Sequence, residues 1–253
     1  MPFSSRSYVN RYVPSNRFPV GLKWLLIVNV SIFVLYELLK PTQMSGFFQN
    51  FELVPEQVVR TLALWQLVTY MFLHTGISHI LWNMLGLWMF GTELERLWGT
   101  RKFLRFYFIC GIAAAVSVVV AAYLFGGKEI PTAGSSGAVY GILMAYGLTF
   151  PDRTILFGFL IPIKSKYFVM IIGGIVLLQS YLATAGGQGS GVAVLAHLGG
   201  LLAGYLYLRG RRLQGQIRQP MISGYKDWKL RRAKRKFEVY LRKEDSKRGP
   251  WVH

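Results

Sequence analysis

Apolar residues run almost unbroken from Leu22 to Leu39, with Lys23 and Lys40 marking the two ends. Five further apolar runs follow: His79 to Trp98, Phe103 to Gly126, Ser135 to Phe150, Tyr167 to Ala185 and Gly191 to Leu208. Several approach the ~20 helical residues that cross a hydrocarbon core of roughly 30 Å. The fourth is short, about 24 Å at the α-helical rise. The stretch between the first two, from Pro41 to about Ser78, is too apolar for a solvated linker and too interrupted for a span. Its Trp65, Tyr70 and other rings suit the headgroup layer, so an interfacial structure is expected there. The pattern predicts an all-α, polytopic membrane protein with six transmembrane helices within 22–210. A basic segment (1–21) precedes them and a basic tail (211–253) follows.

Charge sharpens this picture. Only 16% of the 253 residues are charged, against 53% hydrophobic, too little charge for a soluble surface. The net charge of +18 invites a nucleic-acid reading, but about half of the 29 Lys and Arg fall after Tyr207, beside the last span. Basic residues so placed set orientation and touch anionic lipid headgroups, so no nucleic-acid partner is expected. The N-terminus, the 2–3 and 4–5 connections and the tail are the basic ones. Alternation therefore puts both termini in the cytosol. The first span lacks the order of a cleaved signal peptide and is expected to be retained. A single cysteine, Cys110, excludes an internal disulfide. No metal or cofactor is expected.

Three apolar runs carry polar groups at what this topology makes one depth. His79 and Asn83 stand at i and i+4 on one face at the start of the second span. Ser136 opens the fourth, between Gly134 and Gly137, and His197 lies near the outer end of the sixth. Gly137, Gly141 and Ala145 form one small-residue ridge, and Gly200 and Gly204 another below His197; such ridges let helices in lipid approach closely. Glycines around Ser136 also let the backbone come near a substrate. A serine needs an adjacent base to become a nucleophile, and His197 is the candidate. Asn83, His79 and the Ser136 N–H are candidate oxyanion donors. No Asp or Glu lies near to orient His197, so a dyad is expected, with Tyr140 packing under the imidazole.

Blander readings exist for each motif. Glycine-rich helix packing explains Gly134–Gly137 alone, and His79 with Asn83 could merely cap the long connection. His74 reads as structural, Ser135 as the neighbour of the nucleophile, and Glu95 with Arg96 as a structural pair. Asn29, Ser31 and Ser117 read as helix–helix hydrogen-bonders. Polar groups inside spans are nonetheless costly and point to function by default.

Taken together, Gly134-Ser135-Ser136-Gly137 with Tyr140 and Gly141, His79 with Asn83, and His197 with Gly200 and Gly204 resemble the rhomboid family of intramembrane serine proteases. The stretch from Trp65-Gln66 to Gly99 is similar to that family's second-span region, although Gln66 stands where prokaryotic members often carry arginine. The resemblance implies a six-helix rhomboid bundle with Ser136 as nucleophile, His197 as base, and Asn83 and His79 at the oxyanion. It also implies single-span membrane-protein substrates reaching the site laterally, between the fifth span and the first connection, and a bacterial inner-membrane location. A catalytically inactive relative, binding or retrotranslocating membrane proteins, is the alternative, and a small-solute transporter a third.

Overall fold

The computed structural model describes residues 18–41, 45–157, 160–185, 194–210 and 232. Expectations placed on 1–17, on the 186–190 loop, on the start of the sixth run and on the rest of the tail lie outside the described residues. The chain divides into two units, Met1–Leu206 and Tyr207–His253. In the second, residues 207–210 and Arg232 are helical.

In the first unit, helix α1 spans Val20–Leu39, and three short helices follow: α2 (Ser45–Gln49), α3 (Pro55–Arg60) and α4 (Gln66–Thr69), then a 3-10 turn at Tyr70–Phe72. Long helices α5 (Ile77–Trp98) and α6 (Thr100–Phe125) come next, then the short α7 (Ser136–Thr149) and α8 (Ser165–Ala185). Residues 194–206, here α9, are again helical. The first five apolar runs thus coincide with α1, α5, α6, α7 and α8 within a few residues, and the described part of the sixth falls on α9. By length and hydropathy, two described helices qualify as candidate membrane spans, Val20–Leu39 and Thr100–Phe125. In α5 the polar His79 and Asn83 lower the hydropathy along with Glu93, and α7 is short, about 21 Å for its 14 residues.

The fold is mostly helical rather than purely so. A β-hairpin, unforeseen in the sequence, occupies the α7–α8 connection, with β1 (Thr154–Phe157) antiparallel to β2 (Ile161–Lys164). Its base is tied down by Asp152, which pairs with Lys166 at 2.8 Å and Lys164 at 3.6 Å. These lysines hold the exposed Asp152 carboxyl below the ordinary aspartate value. Arg153 reaches Glu93 on α5 at 2.8 Å, pinning the hairpin base to that helix.

Helix α6 is the hub, touching α1, α3, α4, α5 and α7. Its buried face runs from Phe103, Phe106 and Tyr107 through Cys110 and Gly111 to Ala114, Ala115 and Val118. Side chains shrink along that face, so the glycine-led start of α7 comes in close.

Two buried polar residues organise the frame. A helix leaves its first N–H groups without intrahelical partners. At α1, Gly21 and Leu22 donate theirs to the Glu95 carboxyl at 2.8 and 2.7 Å, and Thr100 Oγ1 donates to it at 2.6 Å. Glu95 is therefore a cap for α1 and a clasp on α5–α6, not the partner of Arg96 that its sequence neighbourhood suggested. In the connection, buried Gln66 accepts from Val54 N at 3.0 Å and donates to Gln57 Oε1 at 2.6 Å and to Asn50 O. A neutral amide thus knits the short helices together. Asn29 donates within its own helix, to Leu25 O, and Ser117 likewise to Ala113 O. Asn29 also faces Tyr107 of α6, as expected of a residue between helices, whereas Ser117 takes an i−4 carbonyl instead of bridging helices.

Candidate active site

Helix α7 starts at Ser136 because Gly134 makes the turn before it. Gly134 has φ +124°, a left-handed backbone that a side chain disfavours. A Cβ there would also sit 2.7 Å from the Cε1 and Nε2 atoms of His79, so the Cε1–Nε2 edge of the α5 imidazole abuts this turn. The Gly134 amide donates to Tyr70 O at 2.9 Å, anchoring the turn to the connection.

Backbone contact between α7 and α9 carries the opposite wall. A Cβ on Gly200 would clash with Gly137 O, and one on Gly204 would stand 2.8 Å from Gly141 O. On α7, Gly137 and Gly141 are likewise closed in by Ala114 and Cys110 of α6. Two ridges of missing side chains therefore interlock, and His197 is carried onto the start of α7. Its Nε2 lies 2.8 Å from Ser136 Oγ, a full hydrogen bond. The other ring nitrogen, Nδ1, is buried and has no hydrogen-bond partner among the described residues. In place of a carboxylate, the Tyr140 ring stacks on the imidazole, centroids 4.4 Å apart and planes at 28°.

His79 and Asn83 complete the wall from α5. His79 Nδ1 is 3.4 Å from Thr75 Oγ1. Asn83 is buried and gives one amide hydrogen to His79 O at 2.9 Å. A primary amide has a second donor, which stays free for the cavity. That cavity, about 770 Å³, is lined by His79, Asn83, Ser136 and His197, with Trp82, Gly86 and Phe90 of α5. Phe168 and Ile172 of α8 close its far side. The catalytic and oxyanion candidates of the sequence therefore line one cavity, with the packing candidates Gly134, Gly137, Tyr140, Gly141, Gly200 and Gly204 beside or behind it. Among the described residues no cluster of three or more His, Cys, Asp or Glu could hold a metal ion.

Sequence reasoning passed over the apolar lining. Trp82, Gly86 and Phe90 follow Ser78 at four-residue steps, which put them on the helix face beside Asn83, and that spacing was the available signal. Phe168 and Ile172 gave none, because α8 is apolar all round.

With this geometry in view, comparison with known proteins decides the family. The rhomboid domain model matches residues 61–212, more than half of the chain. The chain belongs to the rhomboid family. It is therefore an integral membrane protein of a family that includes serine intramembrane proteases. It is 35% identical over 142 residues to Rhomboid protease GluP of Bacillus subtilis, covering 56% of this chain and 25% of that protein. It is 29% identical over 206 residues to the mitochondrial Rhomboid protein 1 of Saccharomyces cerevisiae, covering 79% of this chain and 57% of the relative. A third, Rhomboid protease GlpG of Serratia proteamaculans, is 30% identical over 152 residues, covering 60% and 50%. The chain spans between a quarter and just under two thirds of the length of the first four curated relatives it matches.

Proposed function

We propose that this rhomboid is an intramembrane serine endopeptidase cutting single-span membrane proteins in or near their transmembrane segment. The observation that carries the proposal is the 2.8 Å contact between His197 Nε2 and Ser136 Oγ. In the reaction, Ser136 Oγ attacks the scissile carbonyl as its proton passes to His197 Nε2. The resulting oxyanion takes hydrogen bonds from the free Asn83 amide hydrogen, from His79 and from the Ser136 N–H. His197 then gives its proton to the leaving amine. Water, activated by the same imidazole, hydrolyses the acyl ester and returns the serine. The Tyr140 face, stacked on His197, stabilises the imidazolium that forms between these steps.

A helix keeps its carbonyls in hydrogen bonds, so the substrate must unwind before Ser136 reaches one. The cavity side between α5 and α8, walled by Trp82, Phe90, Phe168 and Ile172, is the apolar flank along which such a segment would lie. In this reading α1, α5, α6, α7, α8 and α9 are the six spans of a 22–210 membrane domain. The 1–21 segment and the 211–253 tail lie in the cytosol. A bacterial inner membrane is the setting, and lipids together with the substrate are the partners.

The test is cleavage of a single-span reporter by reconstituted protein, together with labelling by a fluorophosphonate. Wild type should cleave and label. Ser136→Ala should do neither while inserting and melting normally. Unchanged cleavage by Ser136→Ala would discard the assignment, and an inert wild type would favour a binding role.

A further inference from the structure

One buried histidine next to the site has no part in the proposed reaction. His74, in the connection before α5, is 2% exposed, and Ser135, immediately before Ser136, is wholly buried. The Ser135 amide donates to His74 Nε2 at 3.5 Å, and Ser135 Oγ lies 3.3 Å from the same nitrogen. On its other side the His74 ring meets the His79 imidazole edge-on, centroids 5.1 Å apart and planes at 68°. One side chain thus touches the residue beside the nucleophile and also an oxyanion candidate.

We infer that His74 is a positioning residue for catalysis, holding the turn that aims the Ser136 N–H and propping the His79 imidazole that faces it. The inference rests on the proteolytic reading of the site and deepens it. Three features support it. First, an amide can donate only to an unprotonated nitrogen, so the two contacts at Nε2 require the neutral tautomer with its proton on Nδ1. Burial, and then the neighbouring His79, hold the His74 pKa down at about 4, so that tautomer persists at neutral pH. Second, each contact is long and individually weak, so their value is geometric. They converge on one ring that packing has already immobilised. Third, the Gly134 turn and His79 touch each other directly, an edge of the imidazole lying 2.7 Å from where a Cβ would be. Displacing His74 would release both partners together, and small displacements at a reacting centre can cost about 10²-fold in rate.

The experiment measures kcat and KM separately for reporter cleavage by full-length protein in liposomes. The variants are His74→Ala, His74→Gln, Ser135→Ala and the double His74→Ala/Ser135→Ala, with Ser136→Ala as the blank. His74→Ala should lower kcat by about 10–100-fold with KM nearly unchanged. His74→Gln, which restores an acceptor at similar reach, should recover much of that loss. Ser135→Ala should cost less, about 3–10-fold, and the double variant should be no worse than His74→Ala, because partners in one contact do not add. A merely structural His74 would lower the folded fraction and leave kcat per folded molecule alone. Losses that multiply in the double variant, or kcat at the wild-type level in His74→Ala, would overturn the inference while leaving the dyad standing. If His74→Ala fails to fold, the His74→Gln and Ser135→Ala pair decides by the same criterion, additive losses overturning the inference. A wild type no better than Ser136→Ala would overturn the proteolytic reading and this inference with it.

Discussion

Helix α5 carries polar groups at both ends, and the fold treats them in opposite ways. At the Trp98 end, the Glu95 carboxyl receives three hydrogen bonds, two from the start of α1 and one from Thr100. At the Ile77 end, His79 and Asn83 spend little of their capacity on the fold and face a cavity of about 770 Å³. The nearby His197 likewise leaves Nδ1 without a hydrogen-bond partner among the described residues. Burying a polar group without a partner costs on the order of 1–3 kcal/mol, so a fold tolerates it where something else is gained. A saturated cluster is architecture, and an unsaturated one beside a cavity is chemistry in waiting.

Substitutions at the two ends should therefore separate activity from stability. The largest effect belongs to the proposed dyad: Ser136→Ala and His197→Ala should each lower kcat by about 10³-fold or more, with melting unchanged, in a reporter assay paired with a thermal scan. Asn83→Ala comes next. Loss of one oxyanion donor typically lowers kcat by about 10²–10³-fold, and KM for the reporter should barely move. At the opposite end the pattern should invert. Glu95→Ala strands three donors and should destabilise by about 3 kcal/mol in denaturant titration, while the molecules that stay folded keep wild-type kcat. Equal losses of activity from Glu95→Ala and Asn83→Ala would erase the distinction between the ends.

Smaller effects sharpen the comparison further. Gly200→Ala forces a methyl against Gly137 O and should cost about 1–3 kcal/mol. It should also reduce kcat, because the same contact sets the Ser136–His197 distance. The weakest effect concerns pH. His74 has its folded pKa depressed to about 4, against an ordinary value of 6.5. In that window the unfolded chain binds the proton and the folded one does not, so this contribution to stability is complete above 6.5 and lost as pH falls towards 4. Melting curves of wild type should shift down across that range, and those of His74→Gln by less.

Much of the fold was readable from the chain because lipid imposes long apolar runs, and the helices α1, α5, α6 and α8 begin and end within a few residues of them. The juxtaposition of Ser136 and His197 was readable for a different reason. Glycines at four-residue intervals on two runs have few uses besides close helix contact, so Gly137, Gly141, Gly200 and Gly204 announced which helices meet. What escaped notice depends on distant or short-range partners. Glu95 sits beside Arg96 in sequence, yet two of its three donors lie 74 and 73 residues away. The 154–164 hairpin has strands of four residues, too short for alternation to register against apolar surroundings. The contact of the Asn83 amide with His79 O depends on a rotamer, which no spacing encodes.

Because α7 and α9 meet through their main chains, the separation of hydroxyl and imidazole is fixed by peptide dimensions rather than by how neighbouring side chains happen to settle. Lipid-facing residues on these helices can drift through many sizes without moving that gap, whereas a single added methyl at the crossing point shifts it at once.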